Sequence, residues 1–300
     1  SREGGLDLKL PTRERIVSIV FASGVADVRE TPSAAVLPLM LVTPALFAVN
    51  MLMARWAESA AIPPWFLAFG RWSLACVLLM PWVLPGLRQW WPLIRANGLR
   101  LLVLALFGMG LAVGPQYVGA RTTSAVNIAL VFAACPMFVG LIEALGWRIP
   151  LRRTQVLGMF FSLAGVLVVL VRGDLEALAE LRFGAGDGWI LCAATAWALY
   201  TVLGKRFALP PMPVFIRLAT LAAGGALALA PFALIESSFG MVPDFSDSRL
   251  YVALAVLAVV PSLGAYVCYD RLASVSGPVG ASVSMYMVPL YASLAAWPLL

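Results

Sequence analysis

YVGARTTSAVNIALVFAACPMFVGLIEAL, residues 117–145, is an apolar stretch long enough to cross a bilayer, and Pro136 lies in its interior. A similar stretch, DRLASVSGPVGASVSMYMVPLYASLAAWPLL, occupies residues 270–300, so that the two begin 153 residues apart. With this offset, Pro136 matches Pro289. The chain therefore has the pattern of two copies of one membrane unit.

The amino-acid composition indicates that the chain lies in a lipid membrane. Of its 300 residues, 62% are apolar and 12% are charged, whereas soluble domains carry about 25% charged residues. The apolar residues fall into many runs near the ~20 residues that a helix needs to cross the hydrocarbon. The alternating pattern of a membrane β-barrel is absent, and helices pair every backbone group within one segment. We therefore predict an all-α polytopic membrane protein.

The sequence contains few residues of the types that catalyse reactions. It contains no histidine, the commonest proton relay and metal ligand, and no close pair of interior acids. The cysteines all lie in apolar spans without CxxC spacing, which indicates packing rather than a disulfide or a metal site: Cys76, Cys135, Cys192 and Cys268. The net charge of +6 comes from arginines at span ends, which argues against nucleic-acid binding. We predict no enzymatic activity, no cofactor and no metal.

Nine membrane spans are predicted after an N-terminal tail. Residues 1–33 have mixed charge and one short apolar run, as in a tag remnant or an interfacial tail. The spans are residues 34–54, 63–85, 99–120, 123–146, 154–172, 188–208, 212–235, 250–271 and 278–300. The last is still apolar at Leu300, and five helices per copy would place a tenth helix after it. The predicted fold is a ten-helix inverted five-plus-five repeat, with copies at residues 34–172 and 186–300.

The distribution of Lys and Arg predicts the orientation. With a cytoplasmic N-terminus, the inner loops hold nine Lys or Arg residues and the outer loops hold five, as the positive-inside rule requires. Pro64 precedes Arg71 by seven residues, and Pro210 precedes Arg217 by seven, so we predict that the two arginines are equivalent. An odd number of helices per copy inverts the second copy, which would put these arginines toward opposite faces.

Several motifs resemble a known family. QVLGMFFSLAGVLVVL from residue 155, GDGWILCAATAWALYTVLGKR from residue 186 and the two matched stretches are similar to the EamA branch of the drug/metabolite transporter (DMT) superfamily. Within it, the chain most resembles YddG-type amino-acid exporters. The resemblance covers residues 34–300. It implies a multi-pass transporter in the bacterial inner (cytoplasmic) membrane, which exports small metabolites, most of all amino acids, by alternating access.

The resemblance also implies a central cavity lined by the first, third, fourth, sixth, eighth and ninth helices. The polar, aromatic or soft side chains there are the candidate substrate contacts: Asn50, Gln116, Tyr117, Asn127, Trp197, Tyr200, Tyr266, Tyr269, Met285 and Tyr286. Tyr117 and Tyr269 also suit interfacial anchors. The deep amides of Asn50 and Asn127 need partners, which another helix can supply as well as a ligand.

The matched prolines and the two arginines have alternative roles too. Pro136 and Pro289 predict kinks, which serve either as hinges or as static bends. Arg71 and Arg217 are intramembrane charges, and snorkelling to the headgroups is favoured over binding a substrate carboxylate. Glycines in the third and fifth spans predict close helix packing: Gly108, Gly110, Gly114, Gly158 and Gly165.

Other cargo remains an alternative: nucleosides, nucleotide sugars or lipophilic drugs. Phosphorylated cargo would require several cations facing the cavity. The first span contains no acid, unlike small multidrug antiporters, and passive export is compatible with so few titratable groups. The expected partners are a small-molecule substrate and the lipid bilayer, with the chain a monomer or weak dimer.

Overall fold

The computed structural model describes residues 36–170 and 184–296, and every regular element in this part is helical. The α-helices are α1 (Val36–Ser59), α2 (Pro64–Ala96), α3 (Gly98–Ala105), α4 (Gly114–Ala120), α5 (Ala125–Ala133), α6 (Cys135–Trp147), α7 (Arg153–Leu170), α8 (Ala185–Arg206), α9 (Val214–Ser238), α10 (Ser248–Leu257), α11 (Tyr266–Val283) and α12 (Met287–Ala296). Two π-helical segments, Leu106–Leu111 and Ala258–Ala265, join α3 to α4 and α10 to α11. The all-α prediction is confirmed for the described part.

Some predictions fall outside the described residues. They concern the tail at residues 1–33 and a helix beyond Leu300, and they stay predictions.

The described helices suit a bilayer. Six stretches are long and apolar enough to cross one, by length and composition: Val36–Ser59, Pro64–Ala96, Gly98–Ala120, Asn127–Trp147, Val214–Ser238 and Ser248–Ala292. Large apolar side chains such as Leu37, Phe160 and Leu234 face outward, and in water such a surface would drive association. The predicted spans at α7 and α8 are helical but do not reach the same length or hydropathy within the described part. The structure is consistent with a polytopic membrane protein, and the count of ten helices stays a prediction.

Two predicted span boundaries are wrong. The second span continues to Ala96 as one helix of 33 residues, about 50 Å at 1.5 Å per residue, and therefore extends beyond a hydrocarbon core of about 30 Å. The loop predicted between residues 271 and 278 is helical instead, with one break at Gly277, where φ is 77°. Glycine tolerates this left-handed conformation, and Pro278 then starts the next turn, where its missing N–H costs little.

Small residues let the helices approach closely around the centre. A methyl group added at Gly108 would overlap the ring of Tyr200, and one at Gly114 would overlap the ring of Trp65. The packing predicted for the third span is therefore confirmed at these two glycines. Gly158 and Gly165 on α7 have no atom of the described residues within 4 Å of an added methyl group, so the packing predicted for the fifth span stays a prediction.

The helices are interrupted close to both matched prolines. α5 ends at Ala133, and Ala134, with ψ of −8°, separates it from α6, in which Pro136 is in the first turn. A 3-10 turn at Ser284–Tyr286 precedes α12, whose third residue is Pro289. The predicted kinks are present as local breaks, and their use as hinges stays a prediction.

Contacts between helix ends define one face of the bundle. Arg55 donates to the carbonyl of Ala120 (3.0 Å). The Glu236 carboxylate accepts from the backbone N–H groups of Trp65 (3.2 Å) and Phe66 (2.8 Å), where it complements the positive end of α2. Because Glu58 lies on the same turn as Arg55, we call this end of the bundle the Glu58 face.

The opposite end carries a second set of contacts. Arg206 pairs with Glu143 (2.6 Å), and Arg100 donates to the carbonyl of Phe207 (3.3 Å). We call this end the Lys205 face, after the residue that precedes Arg206. Hydrogen bonds at both faces, and an ion pair at the Lys205 face, therefore hold helix ends together.

Candidate functional site

Arg71 on α2 is buried, with 1% of its surface exposed. Its Nε donates to Ser262 Oγ (2.8 Å), and its Nη1 donates to Asn50 Oδ1 (2.6 Å) and to the Tyr117 hydroxyl (2.7 Å). No Asp or Glu of the described residues lies within ion-pair distance of it. The snorkelling expected for this residue is wrong, because interior side chains from α1, α4 and the second π-helical segment already accept its hydrogen bonds.

A polar network surrounds this guanidinium. The Tyr117 hydroxyl donates to Asn50 Oδ1 (2.8 Å), and Asn50 Nδ2 donates to Gln116 Oε1 (3.1 Å). Ser262 donates in turn to the carbonyl of Leu257 (2.7 Å). Tyr117 is thus an interior residue rather than an interfacial anchor. The partners of the Asn50 amide are protein groups in this structure.

A central cavity of about 50 Å³ lies against this network, with room for a few water molecules. Five of the predicted contact residues line it: Asn50, Gln116, Trp197, Tyr266 and Met285. The wall also includes residues that the sequence did not single out as substrate contacts: Phe47, Met51, Arg71, Ala112, Val113, Phe132, Cys135 and Val288. Phe47 and Met51 could have been found from Asn50, since residues three or four apart share a helix face.

An aromatic cluster lies between this cavity and a larger chamber. Trp197 contacts Tyr266 and Tyr269 at ring-centroid distances of 5.4 Å and 4.8 Å, and Tyr200 at 5.4 Å. Tyr200 and Tyr269 line a vestibule of about 480 Å³ that also includes Lys205. These two tyrosines are therefore placed on the vestibule side of the cluster. The vestibule lies at the Lys205 face.

Tyr269 is not at an interface either. Its side chain is 2% exposed, and its hydroxyl lies 2.9 Å from Thr201 Oγ1. The anchor alternative is therefore wrong for Tyr269 as well.

Two predicted contact residues lie away from the central cavity. Asn127 is the third residue of α5, where its backbone N–H donates to Ser124 Oγ (3.0 Å) and its side chain hydrogen-bonds with Asp187. It therefore lies at the Glu58 face and not deep in a span, because the helix begins later than the hydropathy suggests. The Tyr286 hydroxyl donates to the carbonyl of Met159 (3.2 Å).

Arg217 differs from Arg71 in position and partner. It is the fourth residue of α9, whereas Arg71 is the eighth residue of α2. Its Nη1 forms an ion pair with Asp270 Oδ2 (3.1 Å), and its side chain is 24% exposed. The predicted equivalence of the two arginines is thus off by about one helical turn, because the proline pair lies farther from the start of α9 than from the start of α2.

The site contains no ligand set for a metal ion. Within residues 36–170 and 184–296, no three Cys, Asp or Glu side chains come together in a metal-binding arrangement. The polar groups of the cavity are amides and one guanidinium. Such a wall is suited to binding a small organic molecule rather than to transforming it.

Comparison with known proteins identifies the family. The EamA-like transporter family matches residues 35–171 and 184–300. The chain belongs to the EamA-like transporter family. Membership of this family makes the protein a membrane transporter of the DMT superfamily.

Relatives of this EamA chain are transporters by name. An uncharacterized transporter of Archaeoglobus fulgidus is 30% identical over 84% of this chain and 87% of its own. The uncharacterized inner membrane transporter YedA of Escherichia coli is 28% identical over 83% of this chain and 76% of its own. A solved crystal structure covers 90% of this chain and 89% of its own, with a TM-score of 0.66 and 20% identity, which shows a shared fold.

Proposed function

We propose that this EamA-family protein is a secondary transporter that exports small metabolites, most of all amino acids, by alternating access through the central cavity. The observation that carries the proposal is a central cavity whose wall combines amides, a guanidinium and aromatic rings. Such a wall suits molecules with both a polar end and an apolar side chain. YddG-type amino-acid exporters are the resemblance that suggests this cargo.

The arrangement of chambers supports alternating access. The central cavity holds about 50 Å³, whereas the vestibule at the Lys205 face holds about 480 Å³. The aromatic cluster separates the two, and the Glu236 contact joins α9 to α2 at the opposite face. Because polar contacts hold helix ends together at both faces, a substrate would enter or leave only when one set of contacts opens, as a carrier requires.

The repeat and the membrane placement form part of the same proposal. Residues 34–172 and 186–300 would be inverted copies of five helices each, with a cytoplasmic N-terminus in a bacterial inner membrane. The two π-helical segments support the repeat, because their first residues, Leu106 and Ala258, lie 152 residues apart, close to the offset of the matched stretches. The chain would act as a monomer or a weak dimer.

Cargo with phosphate groups fits the cavity less well. Binding several phosphate charges would require several cations, and Arg71 is the only Lys or Arg among the described residues that line the central cavity. Lys205 and Arg217 line the vestibule instead. Nucleosides and lipophilic drugs carry no such charge and remain the alternative cargo.

Transport in liposomes tests the proposal. Purified protein should move radiolabelled amino acids into or out of liposomes faster than protein-free liposomes do. A panel of nucleosides and lipophilic cations should show little flux. Absence of flux for all amino acids, with flux for a member of the second panel, would replace the proposed cargo by the alternative.

A further inference from the structure

Arg71 is a buried cation without a counter-ion. The described residues contain four ion pairs, and Arg71 belongs to none of them. Burial of a charge is costly unless an opposite charge or a full set of hydrogen bonds compensates it. Asn50, Tyr117 and Ser262 supply neutral acceptors, so the positive charge itself is not neutralised.

The guanidinium also has hydrogen-bond donors to spare. It carries five N–H groups, and the described contacts use those of Nε and Nη1. Nη2 donates to no described residue, and Arg71 is one of the residues that line the central cavity. A carboxylate is the group whose geometry matches two adjacent guanidinium donors.

The other predicted intramembrane arginine, Arg217, has a protein carboxylate as its partner. Tyr117 and Asp270 begin the two matched stretches and are thus equivalent positions. Asp270 forms an ion pair with Arg217 on α9 (3.1 Å), whereas Tyr117 offers Arg71 on α2 only a phenol (2.7 Å). Of these two arginines, only Arg217 has a carboxylate among its described partners.

We propose that the central cavity binds a small organic monocarboxylate, with its carboxylate on Arg71 and its apolar part against Phe47, Trp197 and Tyr266. The inference rests on the proposed function and narrows it to one recognised group. No Asp or Glu is among the described lining residues, so an ammonium group finds no carboxylate there to pair with. The carboxylate of an amino acid, rather than its ammonium, is then the required group. The cavity must widen to admit it.

Three probes with the same ring separate these groups: phenylalanine, phenylacetate and phenethylamine. Binding to the purified full chain in detergent is measured by isothermal titration calorimetry. We expect phenylalanine and phenylacetate to bind, and phenethylamine to bind at least about tenfold more weakly, because hydrogen bonds to charged groups are worth that much or more. Equal binding of acid and amine, or no binding of either acid, overturns the inference.

Two variants test the residue. Arg71→Gln should weaken the binding of both carboxylate probes by about 10- to 100-fold. Asn50→Asp keeps the size of the side chain and places a carboxylate at the position that already lies 2.6 Å from Nη1, so it remains informative if Arg71→Gln does not fold. It should abolish the preference for acids and favour phenethylamine. An unchanged ratio of acid to amine affinity in Asn50→Asp contradicts the assignment.

A matched control and the flux measurement keep the two proposals apart. Arg249→Gln removes an arginine from the surface ion pair with Asp247 and should leave the acid-to-amine ratio unchanged. Carboxylate binding without any flux in liposomes keeps the inference and contradicts the proposed transport. Flux of phenylalanine with equal binding of all three probes keeps the transport and contradicts the inference.

Discussion

At the scale of single residues, the site depends on side chains that a hydropathy profile does not mark. Ser262 lies in the second π-helical segment, is fully buried, and accepts from Arg71 Nε (2.8 Å) while donating to the carbonyl of Leu257 (2.7 Å). It thus fixes the side of the guanidinium that faces away from Asn50. Its hydroxyl holds the arginine in place for any ligand.

Ser262→Ala should lower the free energy of unfolding by about 1–3 kcal/mol, because a buried charged donor loses its acceptor. Thermal unfolding of the detergent-solubilised protein, followed by tryptophan fluorescence, measures the change. Ser274→Ala is the control, since Ser274 is exposed and bonds only within its own helix. Equal melting temperatures for the two variants would show that Ser262 does not support Arg71.

At the level of residues, half of the contacts predicted from the family resemblance line the cavity. Asn50, Gln116 and Trp197 lie at the cavity, on three of the helices that the resemblance implied. Arg71 was assigned to the headgroups, since the cost of an isolated membrane arginine favours snorkelling. Only the tertiary structure brings three neutral acceptors from distant parts of the sequence around it.

At the scale of helices, the two π-helical segments are the feature that organises the centre. Each interrupts the third helix of a proposed copy, and the first, Leu106–Leu111, brings the Gly108 carbonyl to the Tyr266 hydroxyl (2.5 Å). A π-helical turn leaves backbone groups available for such bonds and is often found at functional sites. The segment thereby ties the first half of the chain to the second beside the cavity.

Gly108→Ala should destabilise the protein by about 1–3 kcal/mol, as overpacking of a filled core does. The added methyl group would overlap the ring of Tyr200, which belongs to the aromatic cluster. The midpoint of denaturation in a mixed-micelle titration measures the effect.

Gly165→Ala provides the matched control. Nothing lies within 4 Å of the added methyl group at Gly165, and alanine is the better helix former by about 1 kcal/mol. This variant should be neutral or slightly stabilised. A loss of stability as large as that of Gly108→Ala would mean that the cost is not one of packing at the aromatic cluster.

Hydropathy located the helices well and their internal breaks poorly. The predicted boundaries of the third span, residues 99–120, differ by one residue from Gly98–Ala120. The π-helical segments and the break at Gly277 were not predicted, because both are features of local backbone conformation, which a profile of lipid preference does not report.

At the scale of the whole molecule, the proposed alternating access requires that the two ends of the bundle open in turn. The Glu236 contact at the Glu58 face and the Arg206–Glu143 pair at the Lys205 face hold helix ends together. The breaks near Pro136 and Pro289 lie between these faces, within the two matched stretches. The arrangement supports the proposal that these prolines are the points of bending.

Pro136→Ala and Pro289→Ala should slow transport by about tenfold while ligand affinity changes little, because an N–H at these positions would let the helix continue across the break and stiffen it. Amino-acid flux in liposomes and calorimetric affinity are measured on the same preparations. Pro81→Ala is the control, since Pro81 lies inside the continuous helix α2 with an exposed side chain. Wild-type flux in both test variants would identify the kinks as static bends.

At this scale, the proposed repeat predicts some features of the structure and not others. The match of Pro136 with Pro289 is reflected in two local helix breaks. Arg71 and Arg217, which were matched in sequence, differ by about one helical turn in their positions along α2 and α9, because the loops before these helices differ in length. Internal similarity predicts which helices correspond, whereas contacts in the interior decide which side chains do.

The unpaired charge of Arg71 has a consequence for the electrical behaviour of the membrane. An arginine stays protonated at physiological pH, so the empty cavity keeps a fixed positive charge in its wall. Such a charge repels sodium, potassium and hydronium, as charged or dipolar barriers do in selective channels. A cell could therefore hold many copies of this carrier without a leak of these cations that would dissipate its membrane potential.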